Sequence, residues 1–140
     1  LCKENEREFV ITCTNHSFAS NQMLDLRFIS SITKTLSITI RNQNLRTIPN
    51  LVFSRMSLRL LDLSENGIEN IETRGFDGLR RLDRIELNRN KLTNLDNLLL
   101  SLGAYRVESI FLFDFGAARN QINTLNVVFP RNARRLRFVD

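Results

Sequence analysis

The chain has 140 residues, 42% of them hydrophobic and 25% charged, a balance that suits one soluble domain with its own core and excludes a disordered chain. Its 20 Lys and Arg against 15 Asp and Glu leave a net charge of +5, which permits an acidic partner without demanding one. No apolar run approaches the ~20 residues that a membrane-spanning helix needs, so no membrane insertion by this segment is expected.

The chain opens on Leu1-Cys2-Lys3-Glu4, with no visible signal peptide. Two cysteines, Cys2 and Cys13, lie close together near this end. An even, tightly spaced pair permits a disulfide; the alternative is two buried thiols. With His16 the only histidine, the four ligands of a structural zinc site are lacking, and no metal or other cofactor is expected. A structural disulfide implies an oxidising compartment, and the triplet Asn15-His16-Ser17 makes Asn15 a candidate glycosylation site. Phe9, Ile11 and Cys13 alternate with Val10 and Thr12, which predicts a strand. Residues 19–34 follow as a longer connection, with Met23, Leu24, Leu26, Phe28 and Ile29 as its apolar members.

From there the chain repeats itself. Ile38, Ile40, Gln43, Leu45, Ile48 and Phe53 recur 23 positions later as Leu61, Leu63, Asn66, Ile68, Ile71 and Phe76. Leu58, Leu61, Leu63, Asn66, Ile68 and Ile71 recur 24 positions later as Leu82, Ile85, Leu87, Asn90, Leu92 and Leu95. Each unit reads L-x-x-L-x-L-x-x-N-x-L. The L-x-L core has the period of a strand with both apolar residues on one face. One short strand cannot bury that face alone, whereas stacked copies share a continuous core. Phe53 and Phe76 are expected to stack on the side away from the strands, with Leu100 in the third place. Repeat four is less regular: Val107, Ile110 and Leu112 fit its first, fourth and sixth positions, and Asn120, Ile122 and Leu125 then fit only if residues 113–118 hold an insertion. A fifth copy starts at Ala133, with Leu136 and Phe138 as its strand core.

With this pattern the chain resembles the leucine-rich repeat family, specifically its animal extracellular subclass, whose repeats have about the length seen here. The resemblance implies an α/β solenoid: a horseshoe arc with a parallel β-sheet on its concave face and an irregular or short-helical convex side. It divides the chain into an N-terminal cap over residues 1–34 and about five repeats over 35–140, the last incomplete. In the family the ninth-position Asn side chains form a ladder, here Asn66, Asn90 and Asn120, with Gln43 departing from it so that the first repeat is expected to turn differently. Extracellular members seal the first repeat with a disulfide-bearing cap of four cysteines; Cys2 and Cys13 look like a reduced form of it.

In such a solenoid the residues between the core leucines face outward on the concave side. These are Val10, Thr12 and Thr14 in the cap; Ser37, Thr39 and Arg41; Leu60, Asp62, Ser64 and Glu65; Arg84, Glu86, Asn88 and Arg89; Ser109, Phe111 and Phe113; and Arg135, Arg137 and Val139. The candidate ligand-binding residues among them are Thr39, Arg41, Asp62, Ser64, Glu65, Arg84, Glu86, Asn88, Arg89, Phe111, Phe113, Arg135 and Arg137. Phe111 and Phe113 offer an aromatic pair beside charge, either as a hot spot or turned into the core. Asp62, Glu65 and Glu86 offer partners for basic groups of a ligand. No Gly-rich phosphate loop, nucleophile motif or metal-spaced set is present, so no catalysis is expected. The expected function is recognition of a protein ligand by a secreted protein or receptor ectodomain, in adhesion, signalling or innate immunity. The alternative is a polyanion binder using Arg131, Arg134, Arg135 and Arg137. An uncovered C-terminal sheet edge makes self-association a further expectation.

Overall fold

The computed structural model describes residues 3–5, 10–13, 37–102, 114–117, 119–123 and 136–137. Nine short strands and one helix make up these parts. β1 (Lys3–Asn5) and β2 (Val10–Cys13) belong to the N-terminal segment. β3 (Ser37–Ile40) opens repeat one, and β4 (Thr47–Ile48) follows it. β5 (Ser57–Asp62) and β6 (Asn70–Ile71) form the matching pair in repeat two. β7 (Arg81–Glu86) leads into α1 (Asp96–Ser101), and β8 (Asp114–Gly116) and β9 (Leu136–Arg137) come last.

Seven strands join one sheet in the order β1-β2-β3-β5-β7-β8-β9. Every neighbouring pair is parallel except β1 with β2, which runs antiparallel and pairs Lys3 with Thr12. The register repeats the period of the sequence: Ile11, Ile38, Leu61, Ile85, Phe115 and Leu136 stand side by side, one per strand. Ile11, Ile38, Leu61 and Ile85 are buried, as are Cys13, Ile40, Leu63, Leu87 and Ala117 two positions further on. This is the two-residue alternation of a strand with one face on a core, copied along the stack.

The register corrects the reading of repeat four. Ile85 pairs with Phe115, so Phe115 holds the fourth position and Ala117 the sixth. Asn120 is then ninth and Ile122 eleventh with no insertion between strand and turn. The added length lies before the strand, between repeat three's turn and β8. Ile110, expected at the strand core, lies outside the described residues, as do Val107, Leu112, Ser109, Phe111 and Phe113.

Away from the main sheet, β4 and β6 pair in parallel, Ile48 with Ile71, as a second two-stranded sheet. Repeat three does not extend it. The Asn97 side-chain amide donates to the Ile71 carbonyl at 2.6 Å, where a third strand's N–H would otherwise bond. Phe53 and Phe76 stack at 5.4 Å between ring centroids, both fully buried. The expected third member does not follow them. Leu100 is 47% exposed, while Leu99, 23 positions after Phe76, is fully buried on α1. The helix starts where a strand stood in the earlier repeats, and its 3.6-residue turn brings Leu98, Leu99 and Leu102 inward and leaves Leu100 out.

The turn after each strand shares one left-handed residue in four repeats. Asn42, Glu65, Arg89 and Arg119, all in the eighth position, have φ between 55° and 61°. Gln43 therefore does not make repeat one turn differently; its backbone follows the others. What differs is the side chain, as the hydrogen bonds show below.

Candidate functional site

The ninth-position amides hold the strand ends in place. Asn66 Oδ1 accepts from the Gln43 N–H at 2.9 Å, and its Nδ2 donates to the Ile40 and Leu63 carbonyls at 2.6 and 2.8 Å. Asn90 repeats the arrangement one level on, accepting from the Asn66 and Ile68 N–H groups and donating to the Leu63 and Leu87 carbonyls. Asn120 accepts from the Leu92 N–H and donates to the Leu87 and Ala117 carbonyls. Each amide thus satisfies buried backbone groups of its own repeat and of the one before. Gln43, one methylene longer, donates among the described residues to the Arg41 and Asn42 carbonyls of its own turn.

Fixed in this way, the strand positions between the core residues fall into columns. Val10, Ser37, Leu60, Arg84 and Asp114 share one column. Thr12, Thr39, Asp62, Glu86, Gly116 and Arg137 share the next. Asp114 and Gly116 therefore occupy the places in these columns that Ser109 and Phe111 were expected to fill. Asn120 carried the signal for this: counting back three, five and eight positions from it gives Ala117, Phe115 and Leu112, the same spacing that Asn90 has to Leu87, Ile85 and Leu82. Arg135 and Asn15 lie outside the described residues.

The acids of this face are held by the chain's own arginines. Arg41 Nε donates to Asp62 Oδ2 at 2.8 Å across the β3–β5 boundary, and Asp62 Oδ1 accepts the Ser64 N–H at 3.0 Å. Asp62 is only 5% exposed, and its hydrogen bond lifts the Arg41 guanidinium above its usual pKa. Arg84 Nε and Asn88 Nδ2 divide the two Glu86 oxygens at 2.8 and 2.6 Å. Arg89 reaches Glu65 at 3.4 Å, one repeat away. Asp62 and Glu86, adjacent in one column, are thus each tied to a separate arginine. They do not face each other as a free carboxylate pair. In the neighbouring column Leu60 is half-buried and apolar, flanked by Ser37 and Arg84. Ser64 Oγ is buried there with no partner.

Elsewhere the described surface offers one small polar cleft of about 50 Å³, lined by Glu69, Asn70, Ile71, Leu92, Asn94, Asn97 and Leu98 beside the end of the second sheet. Among the described residues no cluster of three or more metal-ligating side chains is present, and no helix is long and apolar enough to cross a membrane.

Residues 34–92 match the family model described as leucine rich repeat. No curated protein matches the chain. The match covers β3 through the turn after β7, where the strand-and-Asn pattern is most regular, and together with the parallel sheet it makes the fold a leucine-rich repeat solenoid. Such repeats serve generally as protein-interaction modules.

Proposed function

We propose that this leucine-rich repeat solenoid is an extracellular recognition module, a secreted protein or part of a receptor ectodomain, that binds a protein ligand on its concave face. The observation that carries the reading is the set of aligned outward columns. At ~4.8 Å per strand, six strands span a face of roughly 25 Å, the scale of a protein epitope. Residues 1–34 act as its cap and residues 35–140 as the repeats. The compartment is supported by the cysteines. Cys13 is fully buried, no described cysteine is free, and Cys2 is the chain's one other cysteine. The antiparallel pairing of Lys3 with Thr12 favours a Cys2–Cys13 disulfide, since those two residues are the next ones along each strand.

The ligand meets a face whose carboxylates are already engaged. Recognition then relies on the exposed sides of Arg41, Arg84 and Arg89 and on the apolar contact at Leu60, and it does not rely on unpaired acids seeking basic groups. Leu60→Asp puts an unpaired charge at the centre of the face. It is expected to weaken binding of a captured ligand at least tenfold, measured by surface plasmon resonance. Thr73→Asp, on an exposed turn beyond the second sheet, leaves affinity unchanged. The reverse pattern, with loss from Thr73→Asp and none from Leu60→Asp, places the ligand elsewhere.

A further inference from the structure

Among the described residues the concave face is internally neutralised, but the edge where the chain enters the strands is not. Arg55 and Arg59 bracket the start of β5, and Arg80 and Arg81 stand at the start of β7. The backbone draws them together: the Arg55 N–H bonds the Gly78 carbonyl at 2.8 Å, the Arg80 N–H bonds the Met56 carbonyl at 2.7 Å, and Ser57 pairs with Arg81. Four arginines therefore lie within four residues along the chain, roughly 13 Å, and one strand spacing of ~4.8 Å across it. All four are exposed.

The carboxylates in this neighbourhood are Asp77 and Asp83, and both are taken. Asp77 is bound by Arg74 at 2.9 Å, and Asp83 is bound through both oxygens by Arg81 at 2.7 and 2.9 Å. Among the described residues the guanidinium groups of Arg55, Arg59 and Arg80 have no carboxylate partner. Three unneutralised forks on adjacent repeats form a site for several closely spaced oxyanions, since a guanidinium donates two parallel hydrogen bonds to sulfate or phosphate oxygens.

We propose that this edge binds a sulfated polysaccharide, at a site separate from the concave face. The described surface argues against single-stranded nucleic acid. Stacking of bases needs exposed aromatic side chains, and the large exposed hydrophobic residues among those described are Leu51 and Leu100. The choice of a sulfated sugar rests on the extracellular reading above; the anion site itself does not.

The probe is heparin, with affinity measured between low and moderate salt. Wild-type protein binds, with affinity falling steeply as salt rises. The triple variant Arg55→Gln, Arg59→Gln, Arg80→Gln binds at least tenfold more weakly with a shallower salt dependence and an unchanged thermal melt. The corresponding triple Lys variant keeps most of the affinity. Absence of wild-type binding overturns the proposal. So does loss of binding in Arg131→Gln, Arg134→Gln, Arg135→Gln with the triple Gln variant unaffected, and so does equal affinity for duplex DNA of matched charge. Leu60→Asp keeps heparin affinity. Failure of the concave-face reading therefore shows up separately, as ligand binding indifferent to Leu60.

Discussion

Asn66 shows how much one side chain does in this fold. It serves four backbone groups in two repeats, all buried. An unsatisfied buried donor or acceptor costs about 1–3 kcal/mol, so Asn66→Ala is expected to destabilise by at least about 3 kcal/mol. Gln43→Ala, which removes bonds confined to its own turn, is expected to cost about 1 kcal/mol. Urea denaturation of the two variants checks the difference; equal costs would mean that the bonds between repeats contribute nothing. The pattern of Asn in every ninth position was legible in the sequence. The reach of Gln43 was not, because the chemistry of an amide says what it can bond and not which carbonyl its extra methylene brings into range.

At the scale of elements, the turns are stacked as closely as the strands. Gly78 has φ +77°, and a Cβ there would stand 2.6 Å from Ser54 Oγ in the preceding repeat's turn. Gly67 has φ +69° and open space around it. Both positions disfavour an L side chain by about 1–2 kcal/mol, and only Gly78 adds a clash. Gly78→Ala is expected to lower the melting temperature more than Gly67→Ala, and Ser54→Ala in the Gly78→Ala background to restore part of the loss. Equal shifts for the two single variants would contradict the close approach of the turns. Strands β3, β5 and β7 follow from the alternation of leucine and isoleucine. β8 did not, because Val107, Ile110 and Leu112 imitate a strand core more closely than Leu112, Phe115 and Ala117 do. Hydrophobic identity misled where the half-buried Asn120 amide, tied to the Leu92 N–H and to the Leu87 and Ala117 carbonyls, was the better anchor. Leu100 was misplaced for a related reason. The 24-residue phase points to Leu100, and α1 substitutes a helical period that buries Leu99 in its place.

For the molecule as a whole, the solenoid separates two surfaces that composition alone merges into a net charge of +5. On the concave side Arg41, Arg84 and Arg89 each hold an acid, so the positive charge there is largely cancelled. At the strand-entry edge the acids are bound by Arg74 and Arg81, and Arg55, Arg59 and Arg80 remain. Arg41 meets Asp62 and Arg89 meets Glu65 through register between repeats more than 20 residues apart, whereas Arg84 with Glu86 and Arg81 with Asp83 pair within one strand. A reading along the sequence gives the columns but not the ion pairs that decide their charge. That is why Asp62 and Glu86 looked available to a ligand in the sequence and are engaged in the fold.

Everything said of either surface depends on neighbouring repeats being aligned through their fourth positions. The direct test is a map of nuclear Overhauser contacts in isotope-labelled protein. Cross-strand contacts linking Ile38 to Leu61, Leu61 to Ile85 and Ile85 to Phe115 are the predicted result. Contacts from Ile85 to Ile110 in place of Phe115, or none between Leu61 and Ile85, would contradict it.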